Sequence, residues 1–535
     1  MGIAHDYLDA ILRRARQKME PAGFEPNWDD LPRKNKFYPD LEYLPLPVGP
    51  ARAGATVQAG LFPPAEDVAA FTLPVLADML IDSYGQHARR LAIHANSDVD
   101  GLPLYDGASW ARGTASGGGL YPVSIYWVTG ANGPVLPGVY YYSTAHHAMQ
   151  RLLTGDVSGE VRAAVGDVGL GQGADQFLVL GVKFWQNAFK YNSFSYHAVS
   201  MDIGTLVQSW RMWARAIGMR VASVQWFDEL RLCRLLGVVP EDEGIFAVVP
   251  LPWTGRRAAE HPPAPNRIAR PPRVTYAERE RSRRVIRFDA VTGVHLAAVK
   301  AADDRPAVTA LDRAAAHPSC RAGKKVIALP APQPLDMGVR DALRRRRSSF
   351  GRFSATAKVT AGQLSTVLAA ATSAAALDCD ITATDTGLSI TKFFVFVNHI
   401  DDIPPGVYEL DASASALREL KAGSPAEFLQ RNYFLDNYNL EQAGAIIVPT
   451  VRAAAVLDAV GDRGYRITNA VIGAVAQGTY VAASALGIGC GVALGFDNIS
   501  YIEELDLAET GEAPLLIMMI GNERPMSANF RYDIV

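Results

Sequence analysis

The amino-acid sequence repeats itself, and that repeat limits the folds open to it. LPGVYYY at 136–142 recurs as PPGVYEL at 404–410, an offset of 268 residues. Residues 196–228 align without a gap on 465–497 at an offset of 269, and nine of the 33 positions are identical: Tyr196/Tyr465, Ile203/Ile472, Gly204/Gly473, Gln208/Gln477, Ala214/Ala483, Ala216/Ala485, Gly218/Gly487, Phe227/Phe496 and Asp228/Asp497. LPLP at 44–47 is echoed by LPAP at 329–332. Apolar runs before each Gly-Val-Tyr, YPVSIYWVTG and LSITKFFVFVNHI, read as strands, and 71–85 and 360–374 read as helices. Each copy thus reads helix, strand, strand, long apolar helix, glycine turn, strand. A period of this length is a duplicated domain, not a solenoid. The 535 residues alone would allow three or four domains; the repeat reduces them to two copies of one α+β unit.

Composition removes other classes. At 49% hydrophobic and 20% charged, the chain is neither disordered nor collagen-like. Its 52 basic and 55 acidic residues give a net charge of −3, with no global pull toward nucleic acid or anionic lipid, so neither is expected as a partner. Cys233, Cys320, Cys379 and Cys490 form no C-x-x-C, so no disulfide framework and no metal site are expected. The start, MGIAHDYLDAILRRARQKME, is a charged amphipathic helix without a signal-peptide core, which makes the cytoplasm the default expectation. Residues 467–496 are uncharged and long enough to span a bilayer. They nevertheless contain Asn469, Gln477 and Thr479, and their counterpart in the first copy carries Arg211, Arg215 and Arg220. A buried helix ending in a glycine turn is expected instead, and no membrane span.

Between the copies, 250–272 holds seven prolines, and 256–287 holds ten arginines against three acids. This reads as a solvated, semi-rigid linker, with a docking strip for an acidic peptide or carrier domain as the sharper alternative. The expected organisation is an N-terminal segment 1–50, a first domain 51–255, a linker 256–325 and a second domain 326–535.

Four motifs carry chemistry. In TASGGGLYP (114–122), Ser116, Gly117, Gly118 and Gly119 form a turn that lets backbone lie against a flat or anionic ligand. FKYNSFSYH (189–197) sets Lys190 beside Tyr191 ahead of the long helix. RRRRSSFGRF (344–353) clusters arginines and serines suited to a phosphate, among them Arg346, Arg347, Ser348 and Arg352. GIGCG (487–491) closes the second long helix with Gly489, Cys490 and Gly491, and IGNERP (520–525) follows with Arg524. Trp185, Trp210, Trp213 and Trp226 gather around the Lys-Tyr helix, as core or as a substrate wall.

These motifs, in this order, resemble the nitroreductase superfamily and, more narrowly, the SagB/ThcOx-type FMN-dependent azoline dehydrogenases. That group shows an R-R-S-x-R start, a P-S-x-G-G-L-Y-P turn, a K-Y pair, a long helix with E-x-G and a G-L-G-x-C turn. Here Ala115 stands for the proline and Asp202 for the glutamate, and Arg352 lies four residues after Ser348. The resemblance implies two tandem nitroreductase-like domains, each a mostly antiparallel sheet flanked by helices, forming an intramolecular pseudodimer. It implies one FMN held by Ser116, Gly117, Gly118, Gly119, Arg346, Arg347, Ser348, Arg352, Gly489, Cys490, Gly491, Arg524 and Arg531. Lys190 and Tyr191 would be catalytic, one as base and the other tuning it. A Lys⁺ would lower the phenol pKa and favour Tyr191 as base.

The halves keep complementary sets. The second half reads TDTGLSI (384–390) and Ala459-Val460 where the first has the glycine turn and Lys190-Tyr191. The first half reads GMRVA (218–222) where the second has GIGCG, and lacks the arginine cluster. One composite site per chain is expected. The implied reaction is oxidation of a thiazoline or oxazoline to the azole, with dioxygen as final acceptor. The substrate would be a ribosomal precursor peptide or a carrier-tethered intermediate, and a cyclodehydratase or synthetase the partner. A generic NAD(P)H-dependent nitro- or quinone reductase and a non-catalytic scaffold of a synthetase complex are the alternatives.

Overall fold

The computed structural model describes residues 2–62, 70–94, 104–166, 169–253, 271–317, 325–382, 388–525 and 530–534. Two antiparallel sheets carry the halves. The first runs Tyr43–Pro45, Ala148–Thr154, Gly138–Ser143, Val123–Thr129, Gln176–Lys183, Glu243–Pro250. The second runs Gly489–Ala493, Ile517–Gly521, Ala445–Val451, Thr391–Val397, Gly406–Asp411, Ala416–Ala422, Val326–Ala328. Successive strand residues face opposite sides. Trp127 joins a core shared by both halves, while Tyr126 faces an outer core of the first half alone. Val395 and Phe396 divide likewise between the shared core and the second half's outer core. Strands covered on both faces explain the continuous apolar runs of the sequence.

The repeat is physical down to single bonds. Tyr140 donates its hydroxyl hydrogen to the Leu136 carbonyl at 2.7 Å, and Tyr408 does the same to Pro404 at 2.7 Å. The strand bulges after Val139 and after Val407. Asp228 and Asp497 each cap the helix that follows, accepting from the Arg231 amide and from the Ile499 and Ser500 amides. Gly218 and Gly487, at φ 73° and 72°, turn the chain out of the two long helices.

Those helices, Ser195–Arg215 and Gly464–Ala485, pack against each other at the centre. They touch where their aligned glycines lie. A Cβ on Gly204 would come within 1.8 Å of the Ala470 carbonyl oxygen, and one on Gly473 within 2.0 Å of Met201's. The uncharged run 467–496 is therefore a buried helix and a strand. Among the described residues no helix is long and apolar enough to cross a membrane.

The segments outside the two expected domains are built into the fold. Within 1–50, Tyr43–Pro45 pairs with Ala148–Gln150, and the helix Ile3–Arg13 docks on the second half, with the Ala4 amide donating to Asp462 at 2.9 Å. The expected linker is only partly one. Its residues 256–270 and 318–324 (with Cys320) lie outside the described residues, but within 271–317 the helix Asp289–Lys300 packs into the core. His295 on that helix is fully buried and accepts from Arg466, which also pairs with Glu229 at 2.8 Å. Apolar spacing in AVTGVHLAAV, not proline content, decides this stretch. A third, small sheet joins Phe530–Asp533 to Ala88–His94 and Leu104–Ala111, so the end of the chain reaches back to the first half.

Candidate active site

The glycine turn is built by its own hydroxyl and by a buried acid. Ser116 Oγ accepts from the Tyr121 amide at 2.9 Å and donates to Asp202 at 2.6 Å, while the Gly117 amide donates to the other Asp202 oxygen at 2.8 Å. Gly118 and Gly119 take φ of 63° and 65°, and Tyr121 is held at 51°, a strained value for a tyrosine. Burial pushes the Asp202 carboxyl up to about 7 against the pull of Ser116 and Gly117. It is a residue that sequence reading noted only as a family difference.

Lys190 and Tyr191 end the helix Trp185–Tyr191, and Tyr191 lies against this turn. A Cβ on Gly118 would stand 2.3 Å from the Tyr191 hydroxyl, so glycine is required there by both space and dihedral angle. The Lys190 ammonium lies 5.1 Å from the Tyr191 ring centroid and 6.0 Å from that of Trp28. Burial pushes the Tyr191 phenol up to about 12, with Asp202 adding to it. Burial, with Lys34 nearby, pulls Lys190 below the ordinary lysine range. The expected lowering of the phenol by Lys190 is thus reversed: the environment desolvates both groups and favours their neutral forms. Trp28 and Lys34, from the N-terminal segment, have no local sequence signal that would mark them.

The second half reaches the turn through two side chains. Gln477 accepts from the Ala115 amide at 3.0 Å and donates to the Gly113 carbonyl at 3.1 Å. Arg346 donates to the carbonyls of Gly113 at 2.8 Å and Arg112 at 3.2 Å and lies over the Tyr480 ring. Segment 112–118 therefore runs unbroken from Arg346 to Tyr191. Ser348 bonds the Tyr480 hydroxyl at 2.8 Å.

Beyond Arg346 the guanidinium groups converge. Burial, then Arg346, Arg531 and Arg347, pull Arg90 down to about 10. Burial and Arg344, Arg531, Arg90 and Arg346 push the His87 imidazole down to about 2, and both its ring nitrogens are buried without a hydrogen-bond partner. Positive groups gathered this closely, from both halves, fit a bound phosphate that would relieve their repulsion. Arg90 and His87 escaped sequence reading because their partners lie some 250 residues away in the chain. Arg352 and Arg524 adjoin this cluster through Glu523 and the Phe353 backbone. Arg352 shares Glu523 with Arg347, at 3.5 and 2.5 Å, and Arg524 donates to the Phe353 carbonyl at 3.1 Å. Arg531 pairs with Asp533 at 2.6 Å and donates to the Arg344 carbonyl.

At GIGCG a Cβ on Gly489 would meet Glu523 and Ser349, and one on Gly491 the Tyr438 ring, so side chains there would crowd the chain's own neighbours. Cys490 is buried, and desolvation raises its thiol pKa, as expected of a packed residue. The four tryptophans also pack: Trp210 donates to Ser83, Trp213 to Asp82, Trp185 to Ser282, and Trp226 lies under Arg463. In the second half, Ala459 and Val460 end the helix Ala453–Val460 at the place of Lys190 and Tyr191, and part of TDTGLSI, 384–387, lies outside the described residues. In the first half, Met219 and Val221 are buried where the second half has glycine-turn backbone.

Residues 343–522 match the Nitroreductase family. No curated protein matches the chain in sequence. Among solved structures, a candidate nitroreductase from Anabaena variabilis ATCC 29413 superposes with a TM-score of 0.69 at 19% identity, covering 98% of this chain and 100% of its own. A candidate nitroreductase from Ralstonia eutropha JMP134 gives a TM-score of 0.29 at 20% identity, covering 39% of this chain and 95% of its own. The E. coli microcin synthetase McbBCD complex with truncated pro-MccB17 gives 0.29 at 16%, covering 39% and 79%. The chain thus has a nitroreductase fold along its length, with a nitroreductase-family domain in its second half.

Proposed function

We propose that this chain is an FMN-dependent oxidoreductase that oxidises thiazoline or oxazoline rings in a peptide or carrier-tethered substrate, at one composite site per chain. Nitroreductase-family proteins are generally flavin-dependent oxidoreductases, and the azoline specificity rests on the resemblance of the motifs. The observation that carries the reading is the continuity of segment 112–118, which joins Lys190-Tyr191 of one half to an arginine cluster drawn from both. Arg90, Arg346, Arg347, Arg531 and Ser348 would hold the phosphate end, and the turn Ser116–Gly119 would lie along the ring system. When bound, the flavin supplies the two-electron acceptor, with dioxygen as final oxidant. Lys190 Nζ, shifted toward its neutral form, would take the acidic ring proton beside the carbonyl, and Tyr191, its phenol raised by burial, would donate a hydrogen bond.

The test is the purified chain reconstituted with FMN, given a synthetic thiazoline peptide under air. Expected are a thiazole product lacking two hydrogens and consumption of dioxygen. Rapid reduction of the bound flavin by NAD(P)H with no azoline oxidation would make the chain a reductase instead. Failure to take up flavin at all would favour the scaffold reading.

A further inference from the structure

The other side of the central helix pair holds what became of the second site. Gln477 and Tyr480 face the composite site from the second-half helix. Their counterparts in the repeat, Gln208 and Arg211, line a separate cavity of about 50 Å³ between the halves, together with Ile203, Ile467, Cys379 and the carboxyl-bearing Asp378. Sequence drift has changed the chemistry there. Arg211 is 5% exposed; its Nη1 donates to the Ala376 carbonyl at 3.2 Å, but Nε and Nη2 are buried with no partner among the described residues. The Gln208 carbonyl oxygen is buried and unpartnered as well. Arg215 and Arg220 share one carboxylate, Asp378, at 3.6 and 2.9 Å, and the neighbouring Asp380 is held by Arg305 at 2.5 Å. Burial, then Arg215, pulls Arg211 down to about 10.

We infer that this cavity is a binding site for a small oxyanion of phosphate or carboxylate size, read by Arg211 and Gln208 in the place where the repeat would otherwise set a second flavin. An oxyanion accepts from Nε and Nη2 together, the bidentate geometry in which a guanidinium binds best, and the Gln208 amide turns its N–H₂ inward. The space exceeds what one ordered water needs and falls far short of a flavin. Because both central helices wall it, occupancy stabilises their packing, by an amount that rises with the logarithm of ligand concentration above Kd.

The experiment is calorimetric titration of the full chain, saturated with FMN, with inorganic phosphate at constant ionic strength, repeated with acetate to separate a phosphate from a carboxylate preference. One saturable site is expected, weakened at least ~10-fold in Arg211→Met, the loss of a charge-assisted pair. A smaller weakening is expected in Gln208→Leu, a variant that gives up no hydrogen bond present in the fold and so keeps the inference testable should Arg211→Met unfold. Equal affinity in native chain and both variants, or no saturable binding of either anion, would overturn it. So would displacement of phosphate by a second equivalent of FMN. The Arg211 dependence is read whether or not the composite site oxidises azolines.

Discussion

At the scale of single residues, desolvation is the dominant influence. Lys190, Tyr191 and Asp202 sit within one small environment, and burial moves each toward its neutral form. With Lys190 as base, the rate on an azoline should rise with pH through a pKa below the ordinary lysine value and then level off. Lys190→Ala should lower turnover by ~10²–10⁴-fold, and retained turnover would exclude the role. Asp202 has the opposite sign in stability. A carboxyl whose pKa is raised on folding favours the folded chain while protonated, and that contribution is lost as pH rises toward about 7. Asp202→Asn should therefore stabilise the chain by on the order of 2–4 kcal/mol near neutral to mildly alkaline pH and change little below about pH 4, as measured by denaturant unfolding. Gly118→Ala would place a methyl against the Tyr191 hydroxyl at a left-handed φ. It should cut turnover by about 10²-fold through displacement of Tyr191, with the far-UV spectrum intact.

At the scale of elements, the repeat's identities explain themselves as geometry. Gly204 and Gly473 let two helix backbones touch; Asp228 and Asp497 cap helices; Gly218 and Gly487 end them. These positions were legible in the sequence because each answers a local demand that both copies share. Gly204→Ala or Gly473→Ala should separate the helices and cost roughly 1–3 kcal/mol, seen as a lower denaturation midpoint with an unchanged slope. What escaped sequence reading at this scale was the burial of the helix Asp289–Lys300 inside the expected linker, and the pairing of Phe530–Asp533 with the first half. Both depend on partners far along the chain, which no local pattern encodes.

At the scale of the whole molecule, duplication has left two unlike faces of one helix pair. On one, Lys190-Tyr191, the glycine turn and the arginine cluster meet. On the other, Arg211 replaces the Tyr480 of the repeat, and Met219 and Val221 are buried in the turn. The expected outcome is a flavin-to-chain ratio near one, measured by absorbance of flavin released from protein quantified by amino-acid analysis. A ratio near two would mean that the second face still accepts the cofactor. The two-copy architecture, the strands and long helices, and the motifs with chemistry are all written in local sequence, because periodicity, glycine placement and caps are local. Tertiary packing alone brings Gly489 and Gly491 against Glu523, Ser349 and Tyr438, sets Arg90 and His87 beside Arg344, Arg346 and Arg531, and buries Tyr191 so that its phenol is pushed up. Each of those rests on burial and on electrostatic neighbours brought together from opposite ends of the chain, and those are set by packing rather than by spacing along the sequence.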